Sequence, residues 1–142
     1  MTVPALDQLA HYAFVKGLLA GLPASMTLYE GQVPGEPSFP YVVLRMDTGF
    51  EAAERLCGTS NRADFRFTLT SVGITDASAR VVAGASRSLV LDVRPVVAAR
   101  LCTPIRKETS LPIQPDNDVM LPASNLHPMF GVDGYHFVSY AA

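Results

Sequence analysis

The sequence predicts an α+β fold: a single small domain in which a mixed or antiparallel β-sheet is packed on one side by two amphipathic helices. Three stretches predict it. Ala63 to Gly73 alternates apolar and polar side chains through Phe65, Phe67 and Leu69, the period-two pattern of a strand with one buried and one wet face. From Ala79 the period changes, and Ala79, Val82, Ala83, Ser86, Leu89, Val90 and Val93 fall on one helical stripe, with Arg80, Ser88 and Asp92 away from it. The N-terminal segment carries a second such stripe through Leu6, Leu9, Ala10, Ala13, Phe14 and Leu18. A strand feeding a helix whose apolar stripe matches its buried face makes one layered core, which the rest of the chain completes.

In chain order, the first helix is expected to start near Thr2 and Pro4, or near Ala5 and Asp7. Gly21-Leu22-Pro23 ends it, and Gly17 weakens it from within. Thr27 to Val33 reads as a short strand. Pro34 to Pro40 reads as a loop, because proline fixes φ and pushes its predecessor into extended conformations. Tyr41 to Met46 is a compact apolar run, the composition of a buried strand. Asp47 to Asn61 is polar and mixed, and reads as a long connection or projecting hairpin, a length that is usually functional or mobile inside a compact domain. Its apolar members Phe50 and Leu56 point to a surface meant to be covered by something else.

Gly73 closes the central strand, and Thr75 and Asp76 offer oxygens to the free N–H groups of the following helix. That helix should stop at Pro95, which cannot donate to the preceding turn. Val96 to Ile105 reads as a further strand or short helix. Leu111 to Asp118 and Pro122 to Gly131, rich in Pro, Asn and Asp, read as loops. Gly134 to Tyr140, with alternating aromatics, reads as a closing strand.

Composition narrows the function classes. A chain of 142 residues suits one domain, residues 1–142. No apolar run approaches the roughly 20 residues that span a bilayer, and no basic segment followed by an apolar one opens the chain, so a soluble protein without an export signal or a membrane partner is expected. The formal charge is −2, with eleven scattered Lys and Arg and no Trp. That is not the footprint of a protein that holds nucleic acid by its phosphates. Cys57 and Cys102 stand at neither metal-ligand nor redox spacing and read as small apolar residues, with a disulfide between them left open.

The groupings that invite chemistry each fall short. Asp116-Asn117-Asp118 suggests a calcium loop, but the sixth position is Leu121 where Gly is needed and the twelfth is His127 where Glu is needed, so a turn is the better reading. His11, near the polar edge of the first helix, His127 and His136 lack ligand partners at zinc spacing. Gly84-Ala85-Ser86 lacks the second Gly of a nucleophile elbow, and Ser86 falls on the apolar stripe. Gly31, Gly35 and Gly58 make no phosphate loop. Asp47, Glu51 and Glu54, with Arg55 beside them, read as a solvated loop with local ion pairs. The expectation is a protein that is not an enzyme and has no cofactor.

Tyr29-Glu30-Gly31-Gln32-Val33-Pro34 with Phe39-Pro40-Tyr41-Val42-Val43 resembles the Y-D-G-x-V-P … P-Y-V-V opening of the tail terminator (tail-completion) proteins of long-tailed, siphophage-type bacteriophages. Asp64 to Gly73 and Gly131 to Val138 are similar to the central and last strands of that family. The resemblance implies a structural virion protein that forms a ring, usually hexameric, at the head-proximal end of the tail tube. There it would stop tube polymerisation and offer a face for head–tail joining. The implied partners are other copies of the chain, the tail tube protein and a head-completion or connector protein, with genomic DNA passing through the lumen without specific binding. The implied location is the virion, after assembly in the host cytoplasm. Asp47, Phe50, Glu51, Glu54, Arg55 and Leu56 on the hairpin, and Asp116 and Asp118 on the second loop, are the subunit or partner contacts this reading selects. A head-completion adaptor or minor tail protein shares the size and the lack of chemistry. A small α/β ligand-binding domain or enzyme subunit is the rival from another class.

Overall fold

The computed structural model describes residues 6–52, 62–121 and 126–142. In chain order they form α1 (Gln8–Leu19), β1 (Thr27–Glu30), β2 (Tyr41–Met46), β3 (Phe50–Ala52), β4 (Arg62–Gly73), α2 (Asp76–Val90), β5 (Arg100–Cys102), β6 (Arg106–Pro115) and β7 (Met129–Ala141). The strands build one mixed sheet ordered β1-β2-β4-β7-β5, with β3 also on β4 and β6 also on β7. Only the β1–β2 pair among these is parallel. The axis is the β4–β7 ladder, which runs unbroken from Arg62 opposite Tyr140 to Gly73 opposite Met129. This is the α+β class expected, with both helices on one side of the sheet.

The alternation in β4 does what its period implies. Ala63, Phe65, Phe67 and Leu69 are buried beneath the helices, while Asp64, Arg66, Thr68 and Thr70 face the other way. Opposite them Phe137 stacks on Phe65 and Tyr135 on Phe67, each with ring centroids 5.2 Å apart. Val15 and Leu19 of α1 and Val82 and Val90 of α2 close this core from above.

The start of α2 is where the sequence places it. Thr75 is the N-cap, its Oγ1 accepting from the Ser78 N–H at 3.1 Å, and Asp76 pairs with Arg80 one turn on at 2.7 Å. Its end is earlier than expected. The helix finishes at Val90, and Asp92 takes a left-handed φ of 63°, so the chain has already turned before Pro95 and Val93 is not helical. Short polar side chains tolerate that conformation better than most. Gly73 permits the tight approach of strand to helix: a Cβ there would lie 2.5 Å from the Ala79 nitrogen and 2.8 Å from the Ser78 carbonyl carbon. Backbone cannot yield as a side-chain tip can. Gly73→Ala is therefore expected to cost about 1–3 kcal/mol, the usual range for overpacking, read as a lower urea midpoint at unchanged m-value.

Three sequence expectations are corrected. The start of α1 agrees with the second of the two starts expected, Asp7 being the N-cap with its Oδ1 accepting from the Ala10 N–H at 3.0 Å, while Thr2, Pro4 and Ala5 lie outside the described residues; it is the stripe that differs. The buried stripe is His11, Val15 and Leu19, whereas Leu9 is 68% exposed and Ala13 faces solvent. The stripe is rotated because a histidine, counted as polar, occupies its centre. Leu111 to Pro115 is no loop but the second half of β6, paired with β7 through Leu111–Val132 and Gln114–Phe130. Pro112 falls within the register shift between those pairs, on an edge strand, where proline removes no needed hydrogen bond. The closing strand likewise begins at Met129, not Gly134, so the expected loop from Pro122 stops short of Gly131. Between Val96 and Ile105 the regular element is the short strand β5.

Candidate functional site

The face of the sheet away from the helices is divided in two. At one end, Tyr41 and Val43 of β2, Val72 of β4, and Phe130 and Val132 of β7 form an apolar floor. The segment around Val33 to Phe39 and the turn from Asp116 to Leu121 rise on its two sides, leaving an open groove of about 1120 Å³. Aromatic packing holds the first wall: Tyr41 sits edge-on to Tyr29 and tilted against Phe39, each with ring centroids 5.3 Å apart, and the Tyr29 hydroxyl accepts from the Ser38 N–H at 3.0 Å. Burial, with the Asp116 and Tyr29 charges adding, pushes the Tyr41 hydroxyl above its usual pKa. Arg45 marks the edge of the floor, two residues beyond Val43 on the same strand face.

Past Arg45 the face turns polar. Arg66 pairs with Glu108 of β6 at 3.0 Å. Asp64 accepts from His136 Nε2 at 3.0 Å and from Arg62 Nη2 at 3.2 Å. Burial works to raise the Asp64 pKa, but those two donors outweigh it and hold the carboxyl below its ordinary value. Asp64 and His136 lie on adjacent strands yet 72 positions apart in the chain, which is why ligand spacing gave no hint of them.

A second polar cluster lies under the helices. His11 is fully buried and stacks on Phe65 with centroids 4.3 Å apart. Its Nδ1 donates to the Asp7 carbonyl at 2.7 Å, so Nε2 is the acceptor, and it takes the Ser139 hydroxyl at 2.8 Å. Arg100 Nε donates to the same hydroxyl at 2.8 Å, and Arg100 Nη2 to the Ser139 carbonyl at 2.9 Å. A serine hydrogen-bonded to a histidine is the outline of an activated nucleophile. Here Ser139 has no exposed surface, and the histidine is oriented by a backbone carbonyl, so no substrate can reach the hydroxyl and the cluster is structural. The polar-edge position expected for His11 is thus overturned. Burial also pushes the neighbouring Cys102 thiol up. Among the described residues, no three His, Cys, Asp or Glu side chains gather to hold a metal ion.

The residues selected from sequence as contacts are dispersed. Asp47 is a turn residue, its Oδ1 accepting from the Gly49 and Arg66 N–H groups at 3.2 Å each. Phe50 and Glu51 are exposed on β3, which returns along β4 as a hairpin, opposite Asp64 and Ala63. Asp116 lines the groove and caps its own turn through the Asp118 N–H at 3.2 Å, and Asp118 is exposed. Glu54, Arg55, Leu56 and Cys57 lie outside the described residues. The groove itself was not selected. Its signal was present in Tyr41-Val42-Val43-Leu44, since an unbroken apolar run marks a strand covered on both faces.

No family model matches the sequence, and no curated protein matches it. A solved structure does. A chain of the "Virion of native gene transfer agent (GTA) particle" is similar in fold, with a TM-score of 0.57 over 99% of this chain and 98% of that one, at 15% identity. The two chains share an architecture from end to end while differing at most positions.

Proposed function

We propose that this chain is a structural component of a phage-type virion and, within it, a tail terminator. In this role it is one subunit of a sixfold ring that closes the head-proximal end of the tail tube, ends tube polymerisation and presents a face to the head-completion or connector protein. The observation that carries the proposal is the end-to-end agreement in fold with a virion chain. The likeness of Tyr29 to Val43, Asp64 to Gly73 and Gly131 to Val138 to tail terminator strands supports the finer assignment. An exposed Phe50 and an apolar groove on an open sheet face are surfaces of a subunit that works in company. A chain of net charge −2 suits a lumen that passes DNA without gripping its phosphates. The role needs neither catalysis nor a cofactor, and its place is the head–tail junction after assembly in the host cytoplasm.

Electron microscopy of particles from a phage lacking this gene tests the proposal. Filled heads without tails, beside free tubes of uncontrolled length, are the expected result. Heads that leak DNA beside tubes of normal length would move the protein to the head-completion side. Normal virions would overturn both, and the groove would then favour a small-molecule-binding domain or enzyme subunit.

A further inference from the structure

We propose that His11 is an acid-operated latch: while neutral it pins α1 to the sheet, and on taking up a proton it releases α1 before the rest of the fold opens. The latch is independent of the assembly role proposed above.

The geometry is satisfied only by a neutral ring. His11 has no exposed surface and stacks on Phe65. Its nitrogens have opposite tasks, Nδ1 donating to the Asp7 carbonyl at 2.7 Å and Nε2 accepting from the Ser139 hydroxyl at 2.8 Å. A second proton turns Nε2 into a donor. The Ser139 oxygen would then receive two cationic donors, His11 Nε2 and Arg100 Nε, each 2.8 Å away, and its own proton would lose its acceptor. The surroundings offer such a charge little relief. From β4 and β7 the ring meets Phe65, Phe137 and Ser139, none of them charged. From β5 come the Arg100 guanidinium, which repels an imidazolium, and the Cys102 thiol, which burial keeps neutral. Asp7, on the N-cap of α1 itself, attracts it but is exposed, so water and salt screen the attraction.

Among the elements around this ring, α1 is the one that such a cost detaches most readily. Among the described residues, no backbone hydrogen bond joins it to a strand. Its fully buried apolar side chains are Val15 and Leu19. Its other polar ties, from Tyr12 and Lys16 to Glu30 of β1, lie at the surface, where such pairs contribute little. By contrast, β4 and β7 are paired along their whole length from Arg62–Tyr140 to Gly73–Met129. An element held by few buried contacts opens at a lower cost than the core. Once α1 lifts away, His11 meets water and titrates as a free histidine. The open form then takes the proton that the closed form refuses, so acid favours opening by up to about tenfold for each pH unit below 6.5.

Hydrogen exchange of the full chain, read by mass spectrometry at pH 7.5 and 5.5 and corrected for the intrinsic pH dependence of amide exchange, tests the latch. Wild-type α1 amides should be less protected than those of β4 and β7, and should exchange with little dependence on urea below the unfolding transition. Between the two pH values they should lose protection by up to about tenfold. His11→Phe keeps an aromatic ring in the stack, and His11→Gln keeps polar atoms for Asp7 and Ser139. Neither titrates, so in both variants α1 protection should be the same at the two pH values. Protection of α1 equal to that of β4 and β7 would mean that the helix opens only with the whole molecule, and overturns the proposal. So does a wild-type change smaller than about twofold, or an acid response that persists in both variants.

Discussion

Phe65→Ala is expected to remove about 3–5 kcal/mol of stability, the range measured for deleting a buried aromatic. Phe65 has no exposed surface, and its ring lies between His11 at 4.3 Å and Phe137 at 5.2 Å. The same ring supports the turn into β3, where Gly49 has a φ of +92° and a Cβ would approach Phe65 to 2.9 Å. Truncation would thus open a cavity where α1, β4, β7 and the β3 hairpin meet, and no one of them can collapse into it without shifting the others. Since folded domains hold only about 5–15 kcal/mol in reserve, the variant should unfold at a much lower urea concentration. Phe65→Leu, which refills part of the space, should cost less. A loss below about 1 kcal/mol for the alanine variant would mean the site collapses freely and the core is not centred on this ring.

The core was legible because it is periodic. The alternation in β4 and the stripe in α2 each need only a count along the chain, and Thr75 announced its cap by residue type alone. What was missed needs the register of strands far apart in sequence. The Asp64–His136 pair exists because Arg66 lies opposite His136 in the β4–β7 ladder, which puts Asp64 within reach from the next position along the face. His11 was misread because hydropathy treats a histidine as polar whatever its two nitrogens find, and here the Asp7 carbonyl and Ser139 satisfy both. The second half of β6 was hidden by Pro112 and Pro115, which local rules assign to loops and which only an edge position makes acceptable in a strand. The groove was half legible. The run from Tyr41 to Leu44 required cover on both faces, but what rises over the outer face comes from the Val33–Phe39 and Asp116–Leu121 segments, whose placement no local pattern specifies.

Ser139→Ala is the second substitution with a large expected effect. It removes the hydroxyl that donates to His11 Nε2 and accepts from Arg100 Nε; the fully buried His11 nitrogen is left without a partner, whereas the half-buried Arg100 keeps the Ser139 carbonyl. An orphaned buried group costs about 1–3 kcal/mol, so the loss should exceed that of trimming an oxygen at the surface, and urea denaturation at pH 8 measures it. The same cluster sets an acid limit. Burial, the largest influence, and the Arg100 charge lower the His11 pKa below 6.5 against the Asp7 carbonyl and charge that raise it. Between that lowered value and 6.5 the unfolded chain binds a proton that the folded chain refuses, so stability falls as pH drops through about 6.5 and levels off once the folded value is passed. Asp64 acts in a separate window: its carboxyl is held below 3.8 in the fold, so its contribution is complete above that pH and is lost only below it. Wild-type stability should therefore decline between pH 7 and 5, whereas His11→Phe, which keeps an aromatic in the stack but cannot titrate, should be less stable at pH 8 and flatter across that range. Parallel profiles for the two proteins would place the acid sensitivity elsewhere.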